Sequence, residues 1–152
     1  MNLQRWLYPG GRPRRIARLL DRATAALYGR GVAPDRLVTL EVPGRLSGRT
    51  VAVPLVLSVV DGERHLVSML GPDVNWVHNV RAAGGRAVLR HGRREPVRLA
   101  EVAPGLRAPV LRDYLRRAPQ ARPHLPVPPD APLAALAAVA DRIPVFRVVP
   151  AG

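Results

Sequence analysis

Short apolar runs separated by glycine-containing turns dominate residues 37–102, and this pattern constrains the fold more than any other feature. The runs predict strands over Leu37–Val42, Val51–Val60, His65–Met69, Arg86–Arg90 and Glu95–Val102. Asp61-Gly62 is a strong hairpin signal, and a second hairpin is predicted across His91-Gly92. One short helix, Asn75–Ala83, lies among these strands. Strands at this density favour a small barrel over a sheet in which strands and helices alternate.

Helical patterns flank this strand-rich region on both sides. A helix is predicted over residues 14–29, behind a loose arm of residues 1–13. A second amphipathic pattern runs from Leu106 to Leu115, and a third helix is predicted over Leu133–Asp141. The prolines of residues 118–132 predict an extended loop between them.

The last strand is predicted over Pro144–Val149, where it would close the sheet. The run Val51–Val60 is almost entirely apolar, which predicts a strand covered on both faces, and Pro54 predicts a bulge or a missing ladder bond within it. No shift in composition marks a boundary. Residues 1–152 are therefore predicted to form one domain of the α+β class, mainly β, with the barrel over residues 37–150.

The charge is strongly positive: 24 basic residues, all arginine, stand against 11 acidic ones, for a net charge of +13. Such a surface favours anionic partners, namely a phosphorylated cofactor, nucleic acid or an anionic membrane. Single-strand nucleic-acid binders depend on exposed aromatic residues for stacking, and aromatic residues make up only 4% of this chain. Nucleic-acid binding is therefore not expected.

Several kinds of chemistry are excluded by residue type. The chain has no cysteine, which removes disulfides, thiolate metal sites and cysteine nucleophiles. The four histidines, His65, His78, His91 and His124, have no metal-site spacing, so no metal is expected. No nucleophile elbow, phosphate-binding P-loop or dinucleotide-binding fingerprint occurs.

The N-terminus has no long apolar core of the kind found in signal peptides, and no stretch approaches the length of a membrane span. A cytoplasmic protein is expected. The arm of residues 1–13 combines aromatic and basic side chains. It either packs on the body of the protein or touches anionic lipid at the inner face of the membrane.

Two segments carry the chemistry that remains. Gly44–Arg49 is a short basic loop between two strands, in which glycines free the backbone and arginines and a serine offer donors to an oxyanion. Gly71–Arg81 is a turn that enters the short helix. A basic loop at the rim of a barrel would hold a phosphate, and a groove beside Ser68, Met69 and Gly71 would take a flat ring.

The order of motifs resembles the deazaflavin-dependent nitroreductase family. The resemblance lies in Gly-Arg-x-Ser-Gly-Arg at residues 44–49, Val53-Pro54-Leu55, Asp61-Gly62, Leu66-Val67-Ser68, and Gly71 with Asn75-Trp76-x-x-Asn79. It implies a split β-barrel related to the FMN-binding barrels, with the N-terminal helix and short helices packed outside. It also implies binding of coenzyme F420, a deazaflavin with a phosphate and an oligoglutamate tail, and reduction of quinones, nitroaromatic compounds or other activated acceptors.

The resemblance also implies site residues. Arg45, Ser47, Gly48 and Arg49 would meet the phosphate and the tail; Pro54 and Leu55 would flank the ring channel; Ser68, Met69 and Gly71 would line the ring; Trp76 and Asn79 would shape the helix that covers the cofactor. Leu46 and Val51 stand where relatives often have cations. Because these cations are missing, the choice between F420 and FMN as the cofactor is left open.

The expected function is that of an F420H2-dependent oxidoreductase that passes a hydride to an activated acceptor. The alternatives are a protein that holds F420 or a flavin without turnover, and a basic module that binds nucleic acid or a membrane surface. No catalytic side chain is identified; His78 and Tyr114 are candidates for the proton donor, and His78 is also interpreted as a buried histidine bonded to a carbonyl. A homodimer is expected because related barrels often pair.

Overall fold

The computed structural model of the protein describes residues 34–118, 128 and 130–151. The predicted arm, the helix over residues 14–29 and most of the loop over residues 118–132 lie outside these ranges. The single-domain assignment therefore stays a prediction.

Six strands form a closed antiparallel barrel in the order β1-β2-β3-β6-β5-β4. The strands are β1 Leu37–Pro43, β2 Thr50–Val60, β3 Glu63–Val67, β4 Arg86–His91, β5 Arg93–Glu101 and β6 Val145–Pro150. The helices are α1 Asn75–Ala82, α2 Ala108–Arg117 and α3 Leu133–Val139, with 3-10 turns at Pro34–Arg36, Pro104–Leu106 and Ala140–Arg142. This confirms the predicted α+β, mainly β, split-barrel fold.

Strand β2 holds the barrel together because it changes partner along its length. Residues 50–56 pair with β1, and residues 57–60 pair with β3 across the Asp61-Gly62 turn. Asp61 and Gly62 both have positive φ, at 52° and 77°, as a tight two-residue hairpin requires. The register with β1 is unbroken through Pro54, which lies opposite Thr39. The strand therefore has no bulge there, and Pro54 differs from its neighbours only in lacking an N–H for the ladder.

Alternation along the strands separates two apolar layers. The inward-facing side chains fill the barrel, and α1 closes the filling with Trp76, Val77 and Val80. A second layer lies outside the barrel, where α2 and α3 pack against the outward side chains of Leu37, Val56 and Val67. Helix α2 is tied to β2 by polar contacts as well.

The carboxylate of Asp113 makes that polar tie. Its Oδ2 accepts hydrogen bonds from the Ser58 hydroxyl at 2.8 Å and the Val59 backbone N–H at 3.0 Å. The fully buried Ser58 hydroxyl also donates to the Val110 carbonyl at 3.1 Å, so both Asp113 and the backbone of α2 satisfy it, and Asp113 satisfies the Val59 N–H as well. The outer helices are thereby fixed to the barrel wall.

Candidate functional site

The loop between β1 and β2 is a compact turn that closes on itself. The Gly44 N–H donates to the Arg49 carbonyl at 2.7 Å, the Gly48 N–H donates to the Gly44 carbonyl at 2.8 Å, and the Arg49 N–H donates to Ser47 Oγ at 3.2 Å. Gly48 has φ +72°, which a residue with a side chain adopts only with strain. The backbone is thus fixed, while the Leu46 side chain is 90% exposed.

Arg45 attaches this loop to helix α1. Asn79 Oδ1 accepts hydrogen bonds from the Arg45 backbone N–H at 3.1 Å and from Arg45 Nη1 at 2.9 Å. Asn75 contributes longer contacts, through its carbonyl to Nη1 at 3.5 Å and through Oδ1 to Nη2 at 3.4 Å. The two asparagines are four residues apart, which places both on one face of the helix. The two segments singled out in the sequence, 34 positions apart at this contact, therefore meet in space.

The N-terminus of α1 carries no cap of its own. Val74 occupies the N-cap position and makes no side-chain hydrogen bond, and the first turn has no acidic residue. The first N–H groups of a helix lack partners within the helix and carry partial positive charge, which favours an anion beside them. Arg45 adds its charge at this point, and the exposed Arg49 side chain extends from the same loop.

Asp73 and His78 lie beside the same helix end. Asp73 Oδ1 is 3.7 Å from His78 Nε2, and the two side chains are 95% and 37% exposed. The interpretation of His78 as a buried histidine bonded to a carbonyl is therefore wrong: it is partly exposed and faces a carboxylate. Asp73 is the one negative charge at this end of α1 within the part of the chain that is described, and its exposure leaves it screened by solvent.

The turn before α1 contains the residues expected to line a ring. Ser68 donates its hydroxyl to the Gly71 carbonyl at 2.6 Å, and its N–H donates to the Pro144 carbonyl at 2.9 Å. The Gly71 N–H donates back to the Ser68 carbonyl at 3.1 Å, with φ +102° at Gly71. Ser68 is buried, whereas Met69 packs partly against the outer layer. The Ser68 hydroxyl thus shapes the turn, so that a ligand here would meet backbone atoms.

The remaining predicted residues divide between the two faces of the wall. Trp76 is 9% exposed and its ring lies 5.7 Å from that of Phe146, tilted by 58°. Leu55 faces inward against the same interior layer, whereas Pro54 lies opposite Thr39 on the other face of the wall. Trp76 therefore fills the barrel and helps to position α1, and its expected part in covering a cofactor stays a prediction.

Tyr114 lies in the outer layer on α2, where it is 8% exposed. Burial raises the pKa of its phenol to about 12. Nothing in the described ranges joins it to the loop or to α1. Its surroundings are those of a packing residue.

We expect the Tyr114 phenol to titrate late, at a pH above the ordinary value for tyrosine. Its pKa in the folded state lies above the ordinary value of 10.0. The contribution of the buried, neutral phenol to the free energy of unfolding is therefore complete below pH 10 and is lost as the pH rises through about 12. A titration of tyrosinate absorbance should show one late step, and Tyr114→Phe should abolish that step. A late step that survives the substitution would contradict this assignment.

Two features of this site do not follow from the sequence pattern. The spacing of Asn75 and Asn79 predicts one shared helix face, but the contact of Asn75 with Arg45 depends on the fold. The role of Arg45 as a tether could not be predicted from the loop alone, because it depends on how the loop folds back onto α1.

Within the described ranges, no group of three or more histidine, aspartate or glutamate side chains is placed to hold a metal ion. No helix in those ranges is long and apolar enough to cross a membrane.

No family model matches the chain, and no curated protein matches it. A protein of unknown function from Agrobacterium tumefaciens superposes with a TM-score of 0.56 at 15% identity, over 77% of this chain and 49% of that one. The chain therefore spans about half the length of that protein. A conserved hypothetical protein from Mycobacterium tuberculosis superposes with a TM-score of 0.53 at 16% identity, over 87% of this chain and 81% of that one. An F420-H2 dependent reductase, FDR-A, gives a TM-score of 0.48 at 25% identity, over 77% of this chain and 96% of that one. The first two likenesses show a shared fold.

Proposed function

We propose that this protein is an F420H2-dependent oxidoreductase that transfers a hydride from reduced deazaflavin to an activated acceptor such as a quinone or a nitro compound. One observation carries the proposal. The two segments on which the family resemblance rests are joined by hydrogen bonds from Arg45 to Asn79 and Asn75. A chance likeness in two distant segments gives no reason for them to meet.

The donors at this junction suit a phosphate. An uncapped helix N-terminus meets Arg45 there, Arg49 belongs to the same short loop, and no acidic residue occupies the first turn of the helix. Arg45 is engaged by Asn79, so its guanidinium positions the loop and adds positive charge. Arg49 is exposed, and within the described ranges no partner engages its side chain. We therefore assign Arg49 as the residue that would bind the anion directly, with the Ser47 hydroxyl beside it.

The coenzyme, when bound, supplies the hydride chemistry. The chain's part is to bind, orient and exclude water. Met69 is partly buried in the outer layer and would cover an apolar ring, and the Ser68 carbonyl, which already accepts from the Gly71 N–H, has a second lone pair for the polar edge of that ring. Leu55 packs in the inner layer. Tyr114 lies in the outer layer and is assigned no catalytic part, whereas His78, which faces Asp73 beside the same helix end, stays the candidate proton donor.

Arg49→Ala should weaken F420 binding about 10- to 100-fold, because a hydrogen bond to a charged group is worth about 1.5–3 kcal/mol. Isothermal titration calorimetry or coenzyme fluorescence would measure the change. Arg93→Ala removes another exposed arginine, at the start of β5, and serves as the matched control. Equal affinities for the two variants would place the anionic part of the coenzyme elsewhere.

A second candidate is a protein that holds F420 or a flavin such as FMN without turnover. The observation in its favour is that Tyr114, one of the two candidate proton donors, is buried in the outer layer. Oxidation of F420H2 by a panel of quinones separates the two functions. If the protein binds F420 but no quinone in the panel oxidises the bound F420H2, the protein that holds the coenzyme without turnover would be favoured. A cytoplasmic location, a homodimer and contact between the N-terminal arm and the membrane stay predictions.

A further inference from the structure

A cavity of about 810 Å³ lies on the outer face of the barrel, beside the end of α1. Its charged wall contains Arg86 and Arg98, which with Val149 are direct partners across β4, β5 and β6. The neighbouring residues of these strands fill the barrel, so this row of side chains faces outward. The volume lies within the range of about 300–1,000 Å³ found for small-molecule sites.

Arg86 and Arg98 lie directly opposite each other although both carry a positive charge. Like charges at opposed positions of an antiparallel pair destabilise it. Both residues are exposed, and no carboxylate of the described ranges forms an ion pair with either. An anion held between the two guanidinium groups would therefore relieve their repulsion.

The second pair of opposed arginines on these strands shows how the protein neutralises such a repulsion. Arg90 lies opposite Arg94, and Glu41 of β1 contacts both, with carboxylate oxygens 3.3 Å from Arg90 Nη1 and 3.3 Å from Arg94 Nη2. Glu41 is only 3% exposed. One arginine pair of this wall is thus completed by a carboxylate side chain, whereas the pair in the cavity has the same arrangement but faces solvent.

The guanidinium of Arg86 is held beside the cavity by the end of α1. Its Nε donates to the Ala83 carbonyl at 3.4 Å, which leaves its two Nη groups for a ligand. The Val80 carbonyl in the same turn already accepts from the Gly85 N–H at 2.9 Å, so it does not compete for them. The donors of this wall are therefore oriented and accessible.

We propose that this cavity binds a small carboxylate that carries an apolar body, such as an aromatic acid. The carboxylate accepts charge-assisted hydrogen bonds from the Nη groups of Arg86 and Arg98. The apolar body packs on Ala82, Val149 and Pro150, which line the cavity beside them. The cavity shares no residue with the proposed coenzyme site, so binding here is independent of F420.

2-Naphthoate is a suitable probe because it joins a carboxylate to an apolar ring system. 2-Naphthamide keeps the shape without the charge, and acetate keeps the charge without the apolar body. In a titration of the ¹⁵N-labelled full chain, we expect 2-naphthoate to saturate and to shift the amides of residues 84–86 and 98. The two analogues should bind about tenfold more weakly or less.

Variants at exposed positions test the location without disturbing the core. Arg98→Ala should weaken 2-naphthoate binding about tenfold or more and leave F420 binding unchanged, whereas Arg93→Ala, on the same strand, should change neither. Ala82→Trp places a large ring in the cavity and should abolish 2-naphthoate binding, and Ala134→Trp on α3 should leave it intact.

Four outcomes would each overturn the proposal. They are that 2-naphthoate does not saturate, that 2-naphthamide binds as tightly, that Arg98→Ala binds 2-naphthoate as tightly as Arg93→Ala does, and that the shifted amides are those of residues 45–49 alone. The last result would mean that the carboxylate binds at the loop between β1 and β2.

Discussion

Replacing Arg107 with leucine should lower the free energy of unfolding by about 2–5 kcal/mol, the largest stability effect expected in this chain. Arg107 is 4% exposed, and its guanidinium donates to the carbonyls of Val102 at 2.8 Å, Ala140 at 2.8 Å and Ile143 at 3.1 Å. Leucine would leave these buried acceptors without that donor. Because a domain of this size has only about 5–15 kcal/mol of stability, the variant should be partly unfolded in mild urea.

Arg116→Leu is the matched control, since it makes the same chemical change on the exposed side of α2. Urea denaturation followed by circular dichroism would give both values. The control should stay within about 0.5 kcal/mol of the wild type. If the two variants were equally stable, the carbonyls around Arg107 would have to be satisfied by other groups.

Asn79→Ala should weaken F420 binding by about tenfold or more and release the loop from α1. Asn79 is 3% exposed, and its Oδ1 accepts both the backbone N–H and a guanidinium N–H of Arg45. Losing these two hydrogen bonds should lower the free energy that holds the loop on α1 by about 1.5–3 kcal/mol. Asn75→Ala is the control, because the contacts of Asn75 with Arg45 are the long ones, at 3.4 and 3.5 Å.

Hydrogen exchange at the Arg45 amide gives a second measurement that does not depend on the coenzyme. Exchange should be faster in Asn79→Ala than in Asn75→Ala, because only the first variant removes the acceptor of that N–H. Faster exchange with unchanged F420 affinity would mean that the tether is real but unrelated to coenzyme binding. Unchanged exchange would mean that Arg45 is held by other contacts.

The strand pattern predicted the barrel because period-two alternation and hairpin turns are local properties. Each predicted strand was found, with ends shifted by at most two residues; β3, for example, runs over Glu63–Val67 and not to Met69. Of the two alternatives predicted for Pro54, a bulge or a missing ladder bond, the structure has the second. A proline can be absorbed in an unbroken register when its neighbours continue to pair, and here Thr39 simply faces a residue without an N–H.

The polar connections could not be predicted, because each joins residues far apart in the chain. Asp113 satisfies Ser58 and Val59, and Arg107 collects carbonyls from two separate turns. A one-dimensional pattern shows that these residues are polar but not which donors they will meet. His78 illustrates the same limit: its position in the helix was predicted, whereas its exposure follows from the direction in which α1 packs.

Chemical-shift mapping with F420 tests the central claim most directly. In a ¹⁵N-labelled sample, the account predicts that titrating F420 shifts the amides of residues 45–49 and of the first turn of α1, residues 75–77, with saturation at tens of micromolar coenzyme. Shifts confined to another face, or no shifts at such concentrations, would contradict the assignment of the loop and the helix N-terminus as the coenzyme site.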